Sequence, residues 1–162
     1  FQRQIDFIQQ SGIVTAMIGM LQALPGTQLY ERMKRENRLL GMVSGDNVNG
    51  NTNIIPQMGV DKLRQGYQKM MSKIYSPGHY YQRVKTFLRD YKAPKVRVNL
   101  SWQHILAFFR SIYQLGIKDK DRRYYWDLLV WTLRKRPSLF PLAVTLTIYG
   151  YHFNKVCELH IR

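Results

Sequence analysis

The sequence predicts a mainly α chain: a helical C-terminal domain of five or more helices, preceded by a remnant α-β-α unit from the end of a βα barrel. Three observations carry this reading. From Val60 onward, apolar residues recur at three- and four-residue steps, the period of helices that pack by one face. Ahead of them, Ile13-Val14-Thr15-Ala16-Met17-Ile18-Gly19-Met20-Leu21 is a nearly unbroken apolar run rich in β-branched residues, which fits a strand buried on both faces. Between the two, Ser44 to Asn53 is dense in Gly and Asn, the residues of tight turns. The expected organisation is a terminal βα unit over 1–41, a connector over 42–59 and the helical domain over 60–162.

Taken in order, Gln4 to Gln10 reads as the end of a helix stopped by Ser11-Gly12. The strand Ile13–Leu21 follows, bounded by Gly12 and by Pro25-Gly26. Thr27 is placed to cap the next helix through its hydroxyl. Leu29, Tyr30 and Met33 would face inward there, with Glu31, Arg32, Lys34, Arg35 and Glu36 in water. The result is one α–β–α step. A lone strand leaves its backbone groups unpaired, which is costly when buried. Lys95-Val96-Arg97-Val98-Asn99 alternates as a short edge strand, and Leu40-Gly41-Met42-Val43 is too short to decide. The chain opens at Phe1, without an initiator Met and already inside a helical pattern. The expectation is therefore a fragment whose first residues complete a sheet lying upstream. Without that sheet, Ile13–Leu21 would tend to pair with its copy in another molecule.

In the connector, Asn47, Asn49, Asn51 and Asn53 alternate. They would either form a polar ladder, aim amides into a pocket, or be a solvated linker. Val60, Leu63, Tyr67, Met70, Met71 and Ile74 then mark an amphipathic helix, broken at Ser76-Pro77-Gly78. The next helix carries Tyr80, Val84, Phe87, Leu88 and Tyr91 and ends at Lys92-Ala93-Pro94. Ser101 caps a third helix through about Leu115, with the stripe Trp102, Ile105, Phe109 and Ile112 and Gly116 as its stop. A fourth runs from about Asp121 to Lys135, apolar nearly all round, and should sit centrally. Ser138 caps the last, where Leu142, Leu146, Tyr149, Phe153 and Val156 repeat at helical steps.

The 162 residues carry a net charge of +15, and 45% are hydrophobic, ample for a core. Cys157 is the one cysteine, which excludes an intrachain disulfide and any four-cysteine metal site and suggests a reducing, cytoplasmic setting. The longest apolar run, Leu139 to Tyr151, is shorter than the roughly 20 residues that span a bilayer. Between Arg83 and Arg136 stand fourteen Lys/Arg against four Asp. Such a field attracts nucleic acid, anionic lipid or an acidic protein surface, although basic residues on amphipathic helices are as often a solvated face. A basic helical nucleic-acid-binding module is thus the alternative reading, and a peripheral membrane-binding module a third.

No P-loop, GxGxxG or HExxH occurs. Cys157 and His160 share a helix face, and His152 stands eight residues before His160, but a metal site needs three or four converging ligands. No catalytic residue and no metal site is expected in this chain. The turn Leu24-Pro25-Gly26-Thr27 is more informative. It stands where a parallel strand hands over to its helix, the end at which α/β barrels place their sites. It is also simply a turn followed by a cap.

Gly19-Met20-Leu21-x-Ala23-x-Pro25-Gly26-Thr27-x-Leu29-Tyr30 and Glu36-x-Arg38-Leu39-Leu40 resemble the end of the catalytic barrel in cobalamin-binding-type radical S-adenosylmethionine proteins. Asn53-Ile54-Ile55-Pro56, Gly66-Tyr67, Ile74-Tyr75-Ser76-Pro77, Tyr80-Tyr81-x-Arg83 and Gly150-Tyr151-His152-Phe153 are similar to the C-terminal domain of uncharacterised function in the hopanoid-methylase-like branch of that family. The resemblance covers essentially the whole chain in order. It implies a parent enzyme, a methyltransferase acting on a hydrophobic or lipid-like substrate, with a [4Fe–4S] cluster, S-adenosylmethionine and cobalamin as its cofactors. The family's Cys-x-x-x-Cys-x-x-Cys motif is missing here, so the cluster would be held upstream and no cofactor would be bound by this chain alone. By position, the resemblance implies that Met20, Gln22, Pro25, Gly26 and Thr27 lie near the open end of the barrel and help shape its adenosylmethionine or substrate cavity. The partner would be the upstream barrel of the same chain, with the helical region excluding water from a radical intermediate. The implied location is cytoplasmic, with association to a membrane as an open option.

Overall fold

The computed structural model describes residues 1–41, 50–92 and 101–161, with side chains as far as Leu159. The expected edge strand Lys95–Asn99, the residues Met42, Val43, Asn47 and Asn49, and the side chain of His160 lie outside the described residues.

The chain is mainly helical, as the apolar period requires. Among the described residues are seven α-helices: α1 (Gln2–Ser11), α2 (Gln28–Arg35), α3 (Val60–Ile74), α4 (Pro77–Asp90), α5 (Trp102–Ser111), α6 (Arg122–Lys135) and α7 (Phe140–Ile161). Gly12 closes α1 in the left-handed conformation at φ 69°, where a side chain would be strained. Thr27 caps α2, its hydroxyl accepting from the Tyr30 amide at 3.2 Å. Only Tyr75 and Ser76 separate α3 from α4, and Pro77 occupies the first position of α4, where an amide would have no helical partner.

The third helix of the C-terminal region departs from expectation. It does not stop at Gly116 but continues from α5 as a π-helical segment, Ile112–Lys118, ended by Asp119. Gly116 permits this because the Trp126 ring lies against its backbone. A Cβ there would sit 3.0 Å from the ring, and Trp126 Nε1 donates to the Gly116 carbonyl at 3.0 Å. Of the stripe Trp102, Ile105, Phe109 and Ile112, Ile112 packs against the core and the other three do not. Trp102 and Phe109 are exposed, and Ser111 and Leu115 are buried in their place.

The core forms between α4, α6 and α7, where Val84, Leu88, Tyr125, Leu128 and Ala143 have no exposed surface. α1 adds Ile5 and Ile8, and α3 adds Met70 and Ile74. α6 is therefore central on one side only, because Val130 and Leu133 remain exposed. At Gly150, α7 accepts the Tyr80 ring directly on its backbone, and the Tyr80 hydroxyl donates to the Leu146 carbonyl at 2.7 Å. A second, small cluster joins Ala23, Met33 and Ile54.

The remnant α-β-α unit is not present as such. No strand or sheet occurs among the described residues, and the sole isolated bridge there is antiparallel, between Leu39 and Ile54. Residues 13–23 run without helix or ladder between α1 and the turn before α2. The reason is physical: a strand exists only with a neighbour, and this chain brings up side chains where a sheet would bring backbone.

Candidate functional site

Residues 13–24 depart from self-sufficient packing. Val14 and Met20 are buried and Ala16 and Ile18 half-buried, while Ile13, Met17 and Leu21 point outward. This alternation is that of an extended chain with one covered face. Met17 is 89% exposed and Leu21 64%, high values for apolar residues in ordered backbone.

The covered face is held by long-range side-chain bonds. Arg83, on α4 and with no exposed surface, donates from Nε to the Ile13 carbonyl at 3.0 Å and from Nη2 to the Val14 carbonyl at 3.3 Å. Its Nη1 reaches the Ile74 carbonyl at 2.7 Å and Gln9 Oε1 at 3.2 Å. The guanidinium also lies 6.0 Å from the Tyr75 ring centre and 5.6 Å from that of Tyr80. Burial lowers the Arg83 pKa, and the phenols of Tyr75 and Tyr80 oppose that shift. Tyr75 donates to the Ala16 carbonyl at 2.7 Å and accepts from the Ala16 amide at 3.1 Å. Its hydroxyl is kept protonated by burial. Tyr67 donates to the Ile18 carbonyl at 3.3 Å, and Thr52 Oγ1 to that of Leu21 at 2.7 Å. The Asn53 carboxamide bonds both backbone groups of Ala23.

The segment then turns. The Thr27 amide donates to the Leu24 carbonyl at 3.2 Å, with Pro25 and then Gly26 at φ 82° between them, which makes a type II turn. Pro25, Gly26 and Thr27 are exposed, and Gly26 and Thr27 border an open depression of about 520 Å³ with Arg32 and Arg35. Gln22 donates to the Asn51 carbonyl at 3.3 Å. Met20 is buried, and its methyl lies near Gly50 beside the Tyr67 ring. The five residues expected at the site thus divide: three form one exposed turn, Gln22 ties the segment before it to Asn51, and Met20 is buried against Gly50 and Tyr67. Arg83, Tyr75 and Asn53, which fix the segment, were absent from the expected set. All three do stand in motifs of the resemblance: Asn53-Ile54-Ile55-Pro56, Ile74-Tyr75-Ser76-Pro77 and Tyr80-Tyr81-x-Arg83.

Among the described residues, no group of three or more His, Cys, Asp and Glu could hold a metal ion. Cys157 is buried. No helix among them is long and apolar enough to cross a membrane.

A domain family described only as a domain of unknown function, DUF4070, matches residues 27–162. The chain is similar to an uncharacterised methyltransferase of Synechocystis sp., with 32% identity over 97% of this chain and 30% of that protein. It is also similar to a hopanoid C-2 methylase of Rhodopseudomonas palustris, with 26% identity over 75% of this chain and 24% of that protein. It therefore spans less than a third of the length of these curated relatives. No solved structure matches it.

Proposed function

Starting from the fact that this chain belongs to the family of the domain of unknown function DUF4070, we propose that it is the non-catalytic, substrate-side domain of a longer methyltransferase of the radical S-adenosylmethionine type. Its relatives named as methyltransferase and hopanoid methylase support the class, and their greater length leaves room for a catalytic barrel. The observation that carries the reading is the segment Ile13–Leu21. One face is fixed to α3 and α4 by Arg83, Tyr67 and Tyr75, and the other presents Ile13, Met17 and Leu21. A surface of that kind, rigidly mounted and apolar, is suited to meet the edge of a barrel. The helices behind it then close the barrel and keep water from the reacting centre.

The cofactors of such an enzyme belong to the rest of the protein. A [4Fe–4S] cluster needs cysteines that this sequence does not have, and its one thiol is buried. What this chain offers to an S-adenosylmethionine or substrate cavity is the exposed turn Pro25-Gly26-Thr27, preceded by Gln22 and the buried Met20. The substrate is a hydrophobic, lipid-like molecule, on the strength of the resemblance to a hopanoid methylase.

The test is made in the full-length protein. Removing Val60–Arg162, or placing a charge on the outer face with Met17→Glu, should leave iron–sulfur content unchanged and abolish product formation. Normal turnover by either variant overturns the proposal.

A further inference from the structure

The outward side of α5 carries the wrong residues for a helix facing water. Trp102 is 80% exposed, Phe109 62%, Leu106 55% and, at the start of the π segment, Tyr113 55%. At about 100° per residue these four fall within an arc of about 60°, directly opposite the buried Ser111. The inward side of the same helix is already satisfied by Leu115 and by Phe108 packing edge-on to Phe140. α5 is thus apolar on both faces, and an outward stripe of this kind marks an interaction surface.

The rim of the stripe is cationic. Lys118 Nζ sits 4.7 Å from the centre of the Tyr113 ring, and Arg122 reaches back to the Ile117 carbonyl at 3.4 Å. Arg110 is exposed beside Leu106 in a largely apolar groove of about 350 Å³ between α5 and α7. Eight Lys/Arg stand between Ser101 and Arg136 against three Asp. Those aspartates are engaged elsewhere: Asp119 and Asp121 line a cleft beside Tyr81 and Lys155, and Asp127 is paired with Lys85 at 2.6 Å.

Aromatic residues at the ends of an apolar stripe, with Lys and Arg at its margin, describe a helix lying in a bilayer interface. We propose that the outward face of α5 and its π-helical extension docks this chain on an anionic lipid surface. Trp102, Leu106, Phe109 and Tyr113 enter the headgroup–acyl boundary, and Arg110, Lys118 and Arg122 meet lipid phosphates. The helix lies in the plane of the membrane. This proposal goes beyond the reading above, which rests on the segment Ile13–Leu21 and not on the outward face of α5.

The full-length protein should cosediment with vesicles of phosphatidylcholine plus phosphatidylserine and fail to do so with phosphatidylcholine alone. Added salt should weaken binding. Brominated acyl chains should quench its tryptophan emission, placing the stripe below the headgroups. The double variant Trp102→Ser/Phe109→Ser changes only exposed positions, so its circular dichroism should match the parent, and its binding should weaken by at least about tenfold. No binding, equal binding to both vesicle types, or unchanged binding by the double variant overturns the proposal. So does a wild-type dimer that the double variant converts to monomer, which would assign the stripe to a second copy of the chain.

Discussion

The carboxamide of Asn53 makes to Ala23 both of the hydrogen bonds that a neighbouring strand would make: Nδ2 donates to the Ala23 carbonyl at 2.8 Å, and Oδ1 accepts from its amide at 2.7 Å. Upstream, one hydroxyl does the same for Ala16, since Tyr75 Oη both donates to and accepts from its backbone. The segment between these two points keeps strand-like alternation without a sheet. Side chains can substitute for a ladder along one edge and one face only, so Met17 and Leu21 remain at the surface.

The Asn53 arrangement predicts a large effect from an almost isosteric change. Asn53→Asp replaces the donor to the Ala23 carbonyl with an anionic oxygen at a site only 4% exposed. The loss of a buried bond plus a desolvated charge should destabilise the chain by about 2–4 kcal/mol at pH 7. Asn53→Ala, which strands both groups of Ala23 without adding charge, should cost less than Asn53→Asp. Urea denaturation of the three proteins ranks them, and equal midpoints for wild type and Asn53→Asp would contradict the geometry.

Arg83 predicts local release of the same segment. Its fork meets the carbonyls of Ile13, Val14 and Ile74 together with Gln9, an array that the single ammonium of a lysine cannot reproduce. Arg83→Lys keeps the charge and should still cost about 2–4 kcal/mol, as buried carbonyls lose charge-assisted donors. Limited proteolysis distinguishes this from general loosening: cleavage within 13–24 should accelerate before α4, α6 and α7 lose protection.

Much of this architecture was legible in the residues, and the failures share a cause. α1 with its Gly12 stop, the Thr27 cap, and α3, α4 and α6 follow from local period and capping, which act over a single turn. The run Ile13–Leu21 reads as a strand buried on both faces, whereas the structure leaves it without a ladder and covers one face only. Its apolar, β-branched pattern says that the backbone is extended, and nothing in that pattern says whether strands or side chains answer its polar groups. Arg83 and Tyr75 stand in motifs of the resemblance, but their partners Ile13 and Ala16 lie 70 and 59 residues away, so spacing carries no trace of what they bond. Among the alternating asparagines the pattern was visible, but only tertiary placement singles out Asn53 as buried while Asn51 is exposed. In α5 both Trp102–Phe109 and Phe108–Leu115 have helical spacing, and period alone cannot choose which of two apolar faces meets the core. At the candidate site, Pro25, Gly26 and Thr27 were readable because a turn is a local object. Met20 was readable only as apolar.

Cys157 supplies a prediction whose sign follows from burial. Desolvation near the end of α7 pushes its thiol up to about 11, so the folded chain holds the neutral form. An unfolded cysteine titrates near about 8.5. Below that pH both states are protonated, and this group contributes no pH dependence. Between there and about 11 the unfolded chain sheds a proton that the folded chain keeps, so stability must fall as pH rises. Burial shifts Tyr75, Tyr80 and Tyr81 in the same direction from a higher starting value, and the fall should steepen beyond pH 10. Urea midpoints measured across pH 7 to 11 test the shape, and Cys157→Ala should remove the early part of the decline while leaving the tyrosine-linked part. A disulfide reagent gives a second check at pH 8. Labelling of the native chain should be slow and should accelerate with urea in step with unfolding, because a buried neutral thiol reacts only when α7 opens. Labelling as fast as that of free cysteine would mean that the end of α7 is open in the native state.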